Sequence, residues 1–82
     1  MVVRGGKMRL SDLGYLQEAE IISVEMKECA YLKRLRELGF LKGTMIVPLY
    51  RTLFGGIRAY WLKGAVIAVR DADAKKITVK AI

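Results

Sequence analysis

Eighty-two residues, 54% of them hydrophobic, suffice for one domain with one core, and they exclude a disordered or multi-domain chain. Fifteen Lys and Arg against eight Asp and Glu leave a net charge of +7, which draws acidic surfaces, nucleic acid or anionic lipid. No apolar run approaches the roughly 20 residues that span a bilayer, no apolar leader opens the chain, and a single cysteine rules out an internal disulfide; the expectation is a cytoplasmic protein without membrane insertion.

In chain order, residues 1–7 read as a loose or partly paired arm with Gly5 and Gly6 as its flexible point, ahead of a domain over 8–82. Met8 to Leu13 reads as a helical turn capped by Ser11 or Asp12 and ended by Gly14. Ala19–Met26 alternates as a strand, but neither face is cleanly polar, so it is expected to bend. Tyr31–Leu38 is an amphipathic helix. Tyr31, Leu35 and Leu38 fall on one face with Leu32 beside them, while Lys33, Arg34 and Arg36 fall on the other. Gly39 stands where the helix stop needs a positive φ, and Phe40 follows in position to pack back onto Leu35.

Gly43 marks a turn into the strand Thr44–Thr52, where Pro48 demands an edge or a bulge. Leu53 to Gly56 is a glycine-bearing hairpin turn, and Ile57–Lys63 is the strand after it. Gly64 turns the chain into Ala65–Arg70. Asp71 to Lys76 supplies one helical turn, and Ile77–Lys80 closes as a strand. Five short strands between glycine turns predict a mainly β fold, a small antiparallel barrel or curled sheet with one helix across an open end. Closure is expected to leave no exposed edge.

Catalytic chemistry is poorly served. The chain has no histidine, and a lone cysteine without one makes no nucleophile pair. Asp71 and Asp73 read as a solvent-facing cap, and Gly55 and Gly56 are followed by strand residues rather than a phosphate-binding helix. No enzyme activity and no cofactor are expected. Cys29 reads first as a small buried hydrophobe; its second reading, with Glu25 or Glu28, is a weak metal ligand. The surfaces that suit a partner are the basic helix face (Lys33, Arg34, Arg36) and the hairpin bearing Phe54 and Gly55. Trp61 is expected in the core, with Tyr50 and Tyr60 outside. Tyrosines among basic residues are also the material of a single-strand nucleic-acid platform, a rival reading weakened by the dispersal of the charge.

The order of these motifs resembles the FeoA family (ferrous iron transport protein A) over Met8 to Val79. Leu10 to Leu13 is similar to the family's opening turn and Ile21 to Val24 to its first barrel strand. Arg34-Leu35, Leu38-Gly39-Phe40 and Gly43 resemble its most characteristic motif, and Gly64 with Ile67–Arg70 and Ala74–Val79 resembles its close. The chain departs from the pattern at Tyr15-Leu16, where the family has a proline-glycine turn, at Lys42, where it has proline, and through Leu53–Ile57, where Gly55 alone matches. The resemblance implies an SH3-like barrel and a non-enzymatic accessory of ferrous iron uptake. Its implied partner is the cytosolic region of the G-protein-linked permease FeoB, with no nucleic acid, and self-association is left open. The alternatives are a basic nucleic-acid-binding barrel and a transition-metal-binding regulatory domain like the C-terminal domain of iron-dependent repressors; no DNA-binding helical segment precedes the barrel here.

Overall fold

A computed structural model describes residues 6–53 and 55–82. Strand β1 (Lys7–Arg9) leads into a 3-10 turn (Leu10–Asp12) and strand β2 (Ala19–Val24). Helix α1 (Ala30–Leu38) separates these from β3 (Met45–Arg51), β4 (Ile57–Leu62) and β5 (Ala65–Arg70); a helical turn α2 (Asp71–Ala74) and β6 (Ile77–Ala81) complete the chain. The strands form one antiparallel sheet in the order β1-β6-β2-β3-β4-β5.

There are six strands rather than five, because Lys7–Arg9 pairs with β6 from Lys7↔Lys80 to Arg9↔Thr78. The turn after it ends at Leu13, whose N–H donates to the Leu10 carbonyl at 3.1 Å, and neither Ser11 nor Asp12 caps it. Among the described residues β1 and β5 end the strand order without pairing to each other, so two edges remain there where closure was expected to leave none.

β2 bends through a register shift between Ile21 and Ser23, which accommodates a strand whose two faces are both mixed. Pro48 sits next to a second shift, between Pro48 and Tyr50, and the β2 ladder stops at Met45 and Ile46, so its missing N–H interrupts nothing. β4 and β5 are joined by Lys63 (φ 50) and Gly64 (φ 80), the two positive φ values that a tight hairpin needs to match the sheet twist. The core lies on the inner face, where Leu10, Ile21, Ile46, Tyr60, Leu62, Ile77 and Val79 are inaccessible to solvent.

α1 lays Leu32 and Leu35 into the protein, with Leu38 partly buried. Tyr31, expected beside Leu35 in the plug, is instead 37% exposed with its ring under the Arg70 guanidinium at 5.6 Å. The helix ends at Gly39 (φ 111). The Gly39 N–H donates to the Arg36 carbonyl at 3.0 Å and the Phe40 N–H to the Leu35 carbonyl at 2.9 Å, and Phe40 is buried against the core. A Cβ on Gly39 would stand 3.0 Å from Lys63 Cδ and 3.2 Å from Leu62 Cδ2.

The feature no strand pattern predicted is Arg58. It is 5% exposed, and its guanidinium donates to the Ser11 carbonyl at 2.9 Å and the Leu13 carbonyl at 2.8 Å. Tyr15 and Tyr60 both present ring faces to it, at 4.8 and 5.4 Å. β4 is thereby tied to a turn more than forty residues earlier. Beside it the Tyr60 hydroxyl is buried with no hydrogen-bond partner among the described residues, and burial pushes its pKa above the ordinary phenol value.

Two experiments test these arguments. Gly39→Ala is expected to lower stability in urea by about 1–2 kcal/mol, from the left-handed backbone and the crowding against Leu62; an unchanged midpoint would contradict the helix stop. Arg58→Met is expected to cost about 2–4 kcal/mol, because two buried carbonyls lose charged donors. Tyr60→Phe, by contrast, should be neutral or stabilising by up to about 1 kcal/mol, since it removes a buried hydroxyl that has no partner. A Tyr60→Phe loss as large as that of Arg58→Met would show that the two side chains do not divide the work in this way.

Candidate docking surfaces

The basic face of α1 is presented to solvent. Lys33, Arg34 and Arg36 are exposed: Lys33 and Arg34 lie on the side away from Leu32 and Leu35, and Arg36, one turn after Leu32, lies at the flank of the buried stripe. Arg36 reaches back to Glu28 at 2.7 Å, with side chains 46% and 73% exposed, so solvent screens the pair, and Lys33 and Arg34 have no ion pair among the described residues. α1 ends against the Leu62–Lys63 end of β4.

The hairpin at the other end of β4 offers a different chemistry. Phe54 lies outside the described residues. Its neighbour Leu53 is fully exposed, at 103%, and Gly55 is exposed with no atom within 4 Å of the Cβ position. Thr52 anchors the base of the loop, its N–H and hydroxyl both donating to the Ile57 carbonyl at 3.0 Å. Leu53 was not singled out in the sequence, although its place in a glycine-rich turn beside Phe54 is the signal that marks it.

Between these ends runs an apolar outer face on β3, β4 and β5. Trp61 lies here, 38% exposed, whereas Tyr60 is inside; the two expected positions are exchanged. Register places Trp61 beside Val47 and Val66, and Ala59 beside Tyr50 and Ala68. Tyr50 and Val66 are 54% and 58% exposed. An open groove of about 600 Å³ runs past Tyr50, Thr52, Leu53, Ile57 and Ala68. With Tyr60 buried, the platform of basic residues and tyrosines keeps only Tyr50 of its pair.

Asp71 and Asp73 are engaged by arginines, and the thiol is exposed. Asp73, expected toward solvent, is 5% exposed and accepts from Arg70 Nε at 2.8 Å. Asp71 accepts from Arg51 at 3.0 Å. Burial and then the Asp73 carboxylate push the Tyr31 hydroxyl above its ordinary pKa. Cys29, expected as a small buried hydrophobe, is exposed, because it is the extended residue that caps the N-terminus of α1. It lines a depression of about 510 Å³ with Glu25, Met26, Tyr31, Arg70 and Asp73. No group of three or more His, Cys, Asp or Glu side chains among the described residues is placed to hold a metal ion. No described helix is long and apolar enough to cross a membrane.

Comparison with known proteins gives a concordant result. FeoA from Chlorobium tepidum is 31% identical, superposes with a TM-score of 0.82, and is matched over 92% of this chain and 70% of its own. Stenotrophomonas maltophilia FeoA, solved in complex with zinc and described as a procaryotic SH3 domain protein, is 32% identical over 89% of both chains, with a TM-score of 0.75. A manganese-dependent transcriptional repressor shares the fold at 15% identity and a TM-score of 0.81, across 99% of this chain and 45% of that one. No curated protein matches the chain. The FeoA domain model matches residues 8–81, and the chain, an SH3-like mainly β protein, therefore belongs to the FeoA family.

Proposed function

We infer from membership of the FeoA family that the chain takes part in ferrous iron transport. We propose that it acts there as a non-catalytic cytoplasmic accessory that docks on the cytosolic region of a FeoB-type permease and modulates it. The observation that carries this reading is the family match over nearly the whole chain, 8–81. It is supported by a +7 charge that accelerates encounter with an acidic surface and by the exposure of Lys33, Arg34 and Arg36 on one short helix. The hairpin carrying Phe54 and Gly55 is the second contact. Gly39, Gly43 and Gly64, with φ of 111, 91 and 80, hold the turns that fix these elements.

Deletion of the protein is expected to lower ferrous iron uptake by cells, and the purified chain is expected to leave GTP unhydrolysed. Normal uptake in the deletion strain would sink the transport role. Replacing Lys33, Arg34 and Arg36 with glutamine should change stability by less than about 0.5 kcal/mol per site. The same triple change should slow association with the permease's cytosolic region and flatten its salt dependence. Association as fast as wild type would move the docking face to the hairpin.

A further inference from the structure

The two edges of the sheet are not alike. β1 is three residues long and carries Lys7 and Arg9, the short, charged form that discourages pairing with another chain. β5 is six residues, Ala65-Val66-Ile67-Ala68-Val69-Arg70, and carries no charge before its last position. No proline, bulge or inward charge guards it, and its register with β4 is unbroken from Leu62↔Ala65 to Ile57↔Arg70. Ala65, Val66 and Ala68 are exposed.

The backbone of that edge has a definite polarity. The two-residue turn at Lys63 and Gly64 makes Leu62 and Ala65 a pair that exchanges both its hydrogen bonds. Ala65, Ile67 and Val69 therefore direct their amides at β4, and Val66, Ala68 and Arg70 direct theirs outward. The bond from the Asp71 N–H to the Gly56 carbonyl, at 2.7 Å, keeps the same alternation beyond the strand. β4 is the sole neighbour of β5 in the sheet, so the outward N–H and C=O groups of Val66 and Ala68 and the outward N–H of Arg70, whose carbonyl begins α2, have no strand partner among the described residues.

We propose that the β5 edge is a strand-addition site for an extended acidic segment of another protein, one that alternates carboxylate and apolar side chains. Its backbone would complete the outward hydrogen bonds of Val66, Ala68 and Arg70, and its apolar side chains would continue the outer face made by Val66, Ala68, Trp61 and Tyr50. Charge selects the occupant. A second copy would bring another +7, whereas an acidic segment is attracted to the whole chain and meets Lys63 beside the Ala65 end of the strand. Lys42 stands near it, in a depression shared with Met45, Trp61 and Lys63, and neither lysine has an ion pair among the described residues. The site is distinct from the basic face of α1 and holds whether or not the permease is the partner.

The test uses the full chain, isotopically labelled, with a synthetic peptide of about eight residues alternating Glu and Val, long enough to cover the strand. Amide exchange followed by NMR should slow by about ten-fold or more at Val66, Ala68 and Arg70, with little change at Ala65, Ile67 and Val69. A peptide N-methylated at every second residue should lose about ten-fold or more in affinity, and so should one with Lys in place of Glu. Ala68→Pro, which removes an outward N–H and leaves the β4 ladder whole, should weaken binding while the other amides keep their shifts; should it unfold, the N-methylated peptide carries the same comparison. Shifts confined to α1, or equal binding of the Glu and Lys peptides, would overturn the proposal. So would sedimentation showing that the free chain already pairs with itself through β5.

Discussion

A guanidinium withdrawn from water must find acceptors, and Arg58 finds them in the carbonyls of Ser11 and Leu13. This one constraint organises the fold. It fixes the turn that follows β1, and with it the position of Leu10 and Leu13 in the core. It brings the ring faces of Tyr15 and Tyr60 to one cation, so that two aromatic rings share one electrostatic partner. A small domain that buries a modest fraction of its surface has few kcal/mol to lose. Arg58 adds to the sheet ladders two hydrogen bonds that tie β4 to the turn after β1.

Arg58 also explains the main misreading of the strands. Along Ile57–Leu62 either parity is apolar enough to be the core, and a charged residue is the usual mark of the solvent side. Reading Arg58 outward turns Tyr60 outward and Trp61 inward. Because the side-chain period is two, one inverted residue inverts its whole strand. The turns were legible for the opposite reason. A positive φ is a local demand met by a local residue, so Gly39 and Gly64 announce themselves without knowledge of partners. The N-terminal arm was legible only as loose or partly paired, because the three residues Lys7–Arg9 have no period to read, and it is β6, near the other end of the chain, that makes them a strand. Leu16, with φ 63, holds as a leucine the left-handed conformation that a glycine takes more easily, at the place where the family has a proline-glycine turn.

Of the candidate contacts, the basic helix face was legible because amphipathic periodicity separates Lys33, Arg34 and Arg36 from Leu32 and Leu35. The outer face of β3, β4 and β5 was not. A strand apolar on both sides, such as Ala65–Val69, reads as buried on both sides, and nothing in its composition reveals that it lies at an edge. Exposure there is a property of strand order. Cys29 was misplaced for a similar reason: the thiol belongs to a cap residue that precedes the helix, where no neighbour covers it.

The pairing of β1 with β6 has a consequence for how the chain reaches this structure. Lys7 meets Lys80, so the ladder closes a loop of nearly the whole domain, at an entropic cost on the order of 4 kcal/mol. The β3-β4-β5 meander closes through turns of a few residues and forms without that cost. The meander therefore carries the smaller entropic cost of the two, while the β1–β6 pairing, and the Ser11 and Leu13 carbonyls that follow it to Arg58, depend on a contact made across nearly the whole domain.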